Sequence, residues 1–308
     1  MNPTLIARRD PETRLRPRAR RVVTVLPGRI RVSPSMRSAP GPVVTFAGVQ
    51  GGAGVTTAVL LAAGAVTRAS DRPAVAIDLA TGTRGGLGGL AGTWSQTSAQ
   101  ATAEIVLAGG TLAAPYATTR DGIHVISDPP QAPITEDRIA RGLLAATIAG
   151  VQRDMSDVEL AALARAAAAN AELDERTTAA GRGALHKLVR AARGPHSLVA
   201  VDLGLADDEY LTLHAALSDL HVWVVAARTE DLDVACRRLL AHDVAMRREV
   251  VLAWSPDRAR VRSRDLRGLG DARGCPVVRI ARFAPGVPWA ERERTCGSGL
   301  DALCRQLD

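Results

Sequence analysis

Seven short apolar runs recur along the chain, separated by longer stretches of helical period. They are "PVVTFAG" (42–48), "PAVAIDL" (73–79), "DGIHVISDPP" (121–130), "HSLVAVDLG" (196–204), "DLHVWVVAAR" (219–228), "REVVLAW" (248–254) and "CPVVRIAR" (275–282). A run apolar at consecutive positions, rather than at every second one, suits a strand covered on both faces. Helical segments lie between the runs, which is the alternation of a doubly wound, mostly parallel α/β sheet with helices on both faces. The pattern predicts about seven strands and a small-residue helix over about 55–69. It also predicts a helix in "ATAEIVLAGG" (101–110), closed by glycine.

One interval is too long for a single crossover. Roughly 70 residues separate the third and fourth runs, and residues 151–193 read as a helical insertion of two alanine-rich helices around "TTAAGRG". Ser156 and Glu159 have the spacing of a capping box. Two readings stay open for this insertion, an elaboration packed on the sheet and a partner-binding hairpin.

The first run ends in "GVQGGAGVTT" (48–57). A strand, a Gly-Gly-x-Gly turn and a Thr-Thr pair opening a helix form the context of a phosphate-cradling loop. Backbone N–H groups converge there at a helix N-terminus, where the helix dipole favours negative charge. Thr56 occupies the position of the magnesium-holding hydroxyl, but Val55 stands where such loops carry lysine. Asp78 and Asp202 each end an apolar run, at the carboxyl edge where open α/β sheets bind ligands. The plainer role for a strand-end aspartate is to cap the next helix.

From about residue 43 to 285 the chain resembles the MinD/ParA family of deviant Walker A P-loop ATPases, whose loop reads KGGxGKTT. Gln50-Gly51-Gly52-Ala53-Gly54-Val55-Thr56-Thr57 keeps the frame and loses both lysines. Asp78 matches the first aspartate of the family's second-strand D-x-D, and Ala80 replaces the second. Asp202 matches the Walker B aspartate, while Ala253 and Trp254 stand where many relatives have an adenine-contacting asparagine. Within the family the chain is most similar to the CpaE/TadZ-like group of pilus and secretion loci.

The resemblance implies a P-loop NTPase fold of the SIMIBI type and a residual nucleotide pocket made by residues 51–57. Thr56, Asp78 and Asp202 would hold the magnesium shell, and Asp78 and Asp202 are the catalytic candidates. ATP or ADP with Mg2+ would bind weakly or not at all. Each lost charged hydrogen bond is worth roughly 1.5–3 kcal/mol, so losing two weakens binding by roughly 100-fold to 10⁴-fold. The resemblance further implies a homodimer, or a heterodimer with an intact paralogue. It also implies a pilus, secretion, partitioning or cell-division machine as partner. The favoured function is a positioning or assembly factor with an eroded nucleotide site. An active ATPase using arginine (Arg68 or Arg84) in place of lysine stays open.

Charge changes the picture at one end only. The net charge is +7, but residues 1–40 hold ten arginines against Asp10 and Glu12, leaving 41–308 close to neutral. Residues 1–40 are expected to be a basic, Arg/Pro-rich flexible arm preceding the P-loop domain over 41–308, with a weak hairpin signal in "VVTVLPGRIRV". Such an arm suits contact with nucleic acid or an anionic membrane surface, which makes a nucleic-acid-associated protein the other open reading. Cys236, Cys275, Cys296 and Cys304 show no CxxC pairing, so they are expected to be thiols in a reducing cytoplasm. The longest apolar run, 58–66, is far below the roughly 20 residues of a membrane span.

Overall fold

The strands Val22–Val23 (β1), Val43–Gly48 (β2), Ala74–Asp78 (β3), Ala117–Thr118 (β4), His124–Ile126 (β5), Leu198–Leu205 (β6), Leu220–Ala226 (β7), Glu249–Ser255 (β8) and Val277–Ala281 (β9) form one sheet in the computed structural model. The structure describes residues 22–23, 40–79, 86–91, 117–118, 122–127, 188–206, 211–212, 215–227, 232–244, 246–255, 263–281, 287 and 289–307. The strand order is β1-β9-β8-β7-β2-β6-β3-β5-β4, and every neighbouring pair is parallel except β4 with β5. All seven expected strands are present, with two-residue strands added at each edge.

Val22 and Val23 fall in the segment expected to be a flexible arm. They pair in parallel with Val277 and Val278 of β9, so these two residues extend the sheet at its edge, and the rest of the expected hairpin lies outside the described residues. The insertion over 151–193 lies outside the described residues except for 188–193, a helical turn that buries Leu188, Val189 and Ala192. The helix expected in 101–110 also lies outside them.

Five further helices are described: Val55–Ala69 (α1), Gly86–Ala91 (α2), Leu232–Ala241 (α3), Ser263–Arg273 (α4) and Trp289–Cys304 (α5). The consecutive apolar residues of each central strand divide between two cores. Val44, Phe46, Ala200, Val222, Val224 and Leu252 pack with α1 and α5 on one face. Val43, Ala47, Val199, Trp223, Val225 and Val251 pack with 188–193, α3 and α4 on the other. This is why the runs carry no polar alternation. Each fully buried large side chain, such as Phe46 or Trp223, contributes about 1.5–3 kcal/mol. Ten of the fifteen residues of α1 are buried, and its Ala-Ala-Gly-Ala segment (62–65) leaves little between helix axis and sheet.

The "GGLGGLA" stretch departs from its local propensity. Glycine disfavours a helix by about 1 kcal/mol per residue relative to alanine, yet Gly86–Ala91 is helical. Tertiary capping explains it: the Leu87 N–H donates to Asp78 Oδ2 at 2.8 Å, and the Gly88 N–H to Ser127 Oγ at 3.1 Å. The Leu87 side chain is fully buried.

At the amino edge of the sheet, His196 Nδ1 lies 2.7 Å from the Ala192 carbonyl and His196 Nε2 lies 2.8 Å from His124 Nδ1. A carbonyl only accepts, so Nδ1 carries the proton, Nε2 is an acceptor, and His124 donates to it. Burial pushes the His196 pKa down to about 4, with the charges of His124 and Arg72 adding to the effect and the Ala192 carbonyl opposing it. The folded-state pKa is depressed, so the neutral ring's contribution is fully present above about pH 6.5 and is lost as pH falls toward 4. The stability advantage of the native chain over His196→Asn should therefore shrink by about 3 kcal/mol between pH 7.5 and pH 4. Urea unfolding at the two pH values measures it, and a constant difference would contradict this account.

Candidate functional site

β2 sits between β6 and β7, so the chain leaving Gly48 emerges where crossovers depart to both sides, at the sheet's carboxyl edge. The turn over residues 49–54 spends its polar groups locally at its start. The Val49 N–H donates to the Val224 carbonyl at 3.3 Å, and the Ala53 N–H to the Gln50 carbonyl at 3.3 Å. Gly52 and Gly54 have φ of +69° and +86°, a left-handed backbone that L side chains rarely adopt. At Gly54 a Cβ would also stand 3.1 Å from Trp254 Nε1. Only glycine satisfies both demands there.

Gly54 caps α1, with no side-chain hydrogen bond at the cap and no acidic residue in the first turn. The first turn of this 15-residue helix therefore takes no capping bond or acidic charge from its own residues, and Gly51 and Gly52 are exposed beside it. The glycine turn and the helix N-terminus expected from the sequence are in place.

The two positions that hold lysine in the resembling family do other work. Val55 is buried, and a Cβ on Gly48 would meet its Cγ2 at 2.9 Å, so this side chain packs against the end of β2. Gln50 Nε2 donates to the Ala226 carbonyl at 3.3 Å, tying the turn to β7. Thr56 and Thr57 are half-buried in the first turn of α1.

Asp78 and Asp202 are brought together. They are register partners on β3 and β6, both buried. Their roles differ. Asp78 Oδ2 accepts from the Leu87 N–H and, at 2.9 Å, from the Ser127 hydroxyl, so it caps α2 through a partner that sequence reasoning missed. Asp202 Oδ1 accepts from the Gly204 N–H at 2.9 Å, whereas its Oδ2 is buried with no hydrogen-bond partner among the described residues. Burial, reinforced by the Asp78 carboxylate, pushes the Asp202 pKa up to about 7, while the Thr56 hydroxyl and the Gly204 N–H favour its ionised form. A buried carboxylate oxygen left without a donor, with a threonine hydroxyl nearby, is a donor set that suits Mg2+. Thr56 and Asp202 would hold such an ion, and the N–H groups of 51–57 would receive phosphate. A bound nucleotide would supply phosphoanhydride bonds and the metal its charge.

Two further residues border the loop, Trp254 at a position already marked by the resemblance and Arg238, which gave no signal in the linear sequence. Trp254, at the carboxyl end of β8, packs its ring over Gly54. Arg238, on α3, donates from Nη1 to the Val49 carbonyl at 3.1 Å. Of the arginines considered from sequence, Arg68 lies in the last turn of α1, roughly 20 Å from the loop by helical rise, and Arg84 lies outside the described residues. Among the described residues there is no cluster of three or more metal-ligating side chains. None of the four cysteines forms a disulfide, and three of them are buried.

No family model and no curated protein matches the chain. Solved structures do. The ParA family ATPase from Chlorobium tepidum TLS superposes with a TM-score of 0.50 at 15% identity, over 88% of this chain and 95% of that one. Apo McdA from Cyanothece superposes with a TM-score of 0.53 at 11% identity, over 87% and 99%. A McdA variant from Cyanothece in complex with ATP gives a TM-score of 0.50 at 12% identity, over 86% and 97%. The fold is that of the ParA ATPases. At these identities the likeness concerns the ParA-type fold alone. No described helix is long and apolar enough to cross a membrane.

Proposed function

We propose that this chain is a ParA/MinD-like positioning or assembly factor whose nucleotide site has been reduced to a weak Mg2+-nucleotide pocket without efficient hydrolysis. The observation that carries the reading is the division of labour in the loop. The glycine backbone, the Thr56 hydroxyl and the partnerless oxygen of Asp202 are kept in one place, while Val55 and Gln50 are given over to packing and to the Ala226 carbonyl. The cradle needs no lysine to bind phosphate. Hydrolysis does, because the lysines stabilise charge that builds up in the transition state.

Asp78 is a secondary metal-shell candidate in this reading, since its Oδ2 already serves α2. The eroded loop supports the CpaE/TadZ-like assignment and hence a pilus or secretion machine as partner. A homodimer, or a heterodimer with an intact paralogue, follows from the resemblance. The protein would then act as a scaffold on surfaces that nucleotide once controlled.

Calorimetric titration of the full chain with ATP and with ADP, each with and without Mg2+, tests this. We expect Mg2+-dependent binding about 10²- to 10⁴-fold weaker than a lysine-bearing loop achieves, and no turnover above background. Absence of heat at millimolar nucleotide would remove the pocket from the proposal. Turnover abolished by Thr56→Ala would replace it with an active ATPase.

A further inference from the structure

The loop lacks lysine, yet a cation reaches it from elsewhere in the fold. Arg238 stands 189 positions further along the chain from Val49, and its Nη1 donates to the carbonyl at the start of the turn. A guanidinium has five N–H donors in a rigid plane, and this bond uses one. Arg238 is exposed and makes no ion pair with a described residue.

Its placement follows from the helix that bears it. Leu232, Ala235 and Leu239 form the buried stripe of α3, in the same core as Val49. Position 238 therefore flanks that stripe, where α3 meets the turn. The helix end is also fixed, because Arg273 donates to the carbonyls of Leu239, His242 and Val244.

We propose that Arg238 is the cation of the phosphate pocket, contributing from α3 the charge that Gln50 and Val55 do not, toward a nucleoside di- or triphosphate. The inference rests on the nucleotide reading above. Arginine is suited to the task, since its planar fork pairs with phosphate oxygens in a bidentate manner and stays charged at all working pH values.

The test is calorimetric titration of ADP and of ATP with Mg2+ into the full chain, comparing the native protein with Arg238→Ala, Arg238→Lys and Arg237→Ala. Arg237 is an exposed neighbour on the same helix and controls for a general loss of positive charge. Arg238→Ala should weaken both nucleotides about ten- to hundredfold, Arg238→Lys should recover part of the loss, and Arg237→Ala should stay within about twofold. Without nucleotide, Arg238→Ala should lower the Tm by no more than a few degrees, the loss of its one hydrogen bond to Val49, while Arg237→Ala should leave it unchanged; a nucleotide-affinity loss larger than that bond accounts for separates phosphate binding from a structural role. Native-strength binding by Arg238→Ala overturns the inference and leaves the nucleotide reading standing. No binding by the native chain overturns both.

Discussion

Replacing Arg273 by methionine should cost about 3–5 kcal/mol of stability, the expected cost of breaking a buried ion pair by removing one partner. Arg273 closes α4, and its side chain is 3% exposed against 4% for Glu249. The contact is bidentate: Nε donates to Oε2 at 2.8 Å and Nη2 to Oε1 at 2.9 Å. The remaining donors reach the His242 carbonyl at 2.6 Å and the Val244 carbonyl at 2.8 Å, with a longer bond to the Leu239 carbonyl. These carbonyls belong to the end of α3 and the chain leaving it, where a helix has acceptors without intrahelical donors. The guanidinium also lies 4.8 Å from the centre of the Trp223 ring, whose Nε1 donates to Glu249.

Methionine matches much of the apolar stem but leaves the buried Glu249 carboxylate, which also accepts from the Trp223 and Met246 N–H groups, without its guanidinium. Adding Glu249→Leu to Arg273→Met should restore part of the loss, because the stranded charge is then gone. Urea unfolding of the single and double variants measures both values. A single variant within about 1 kcal/mol of the native chain would mean that the pair is far better hydrated than its burial indicates.

Asp202→Asn should act in the opposite sense at high pH. The folded-state pKa of Asp202 is raised, from 3.8 to about 7. Its protonated form therefore contributes stability that is fully present below about pH 3.8 and is lost as pH rises through 7. Asparagine does not titrate. The stability of Asp202→Asn relative to the native chain should therefore rise by on the order of 4 kcal/mol between pH 4 and pH 8.5.

The same substitution removes the carboxylate proposed to meet Mg2+, so the Mg2+-dependent part of nucleotide binding should vanish. In the native chain that part should strengthen as pH rises through 7, because the metal competes with the proton on Asp202. Paired unfolding curves at pH 4 and pH 8.5 decide the matter. Parallel pH profiles for the two proteins would show that Asp202 is ionised without penalty, and the metal assignment would lose its physical basis.

The two pH effects oppose each other in the native protein. His196 loses its contribution as pH falls below 6.5, while Asp202 loses its own as pH rises above 3.8. A native chain studied alone would show little of either, which is why both predictions are differences between variants.

What the sequence alone determined is what short stretches of chain specify by themselves. Consecutive apolar positions located the seven strands, and α1 begins and ends at Val55 and Ala69, as its small-residue pattern indicates. The loop was legible because a left-handed turn demands glycine at fixed positions, and 52 and 54 are the two with positive φ. The loss of both lysines was equally visible. Tertiary structure decided everything that depends on partners distant in sequence. Gly86–Ala91 became a helix because Asp78 and Ser127 receive its first N–H groups, and local propensity alone favoured a turn. The two strand-end aspartates looked alike in sequence, but packing made Asp78 a cap and left one oxygen of Asp202 buried without a donor. Arg238 was one exposed helix arginine among several until packing of Leu232, Ala235 and Leu239 set the face of α3 and brought it to Val49. Local conformational preference is written residue by residue along the chain, whereas the contact between α3 and the turn exists only once the sheet has ordered its strands.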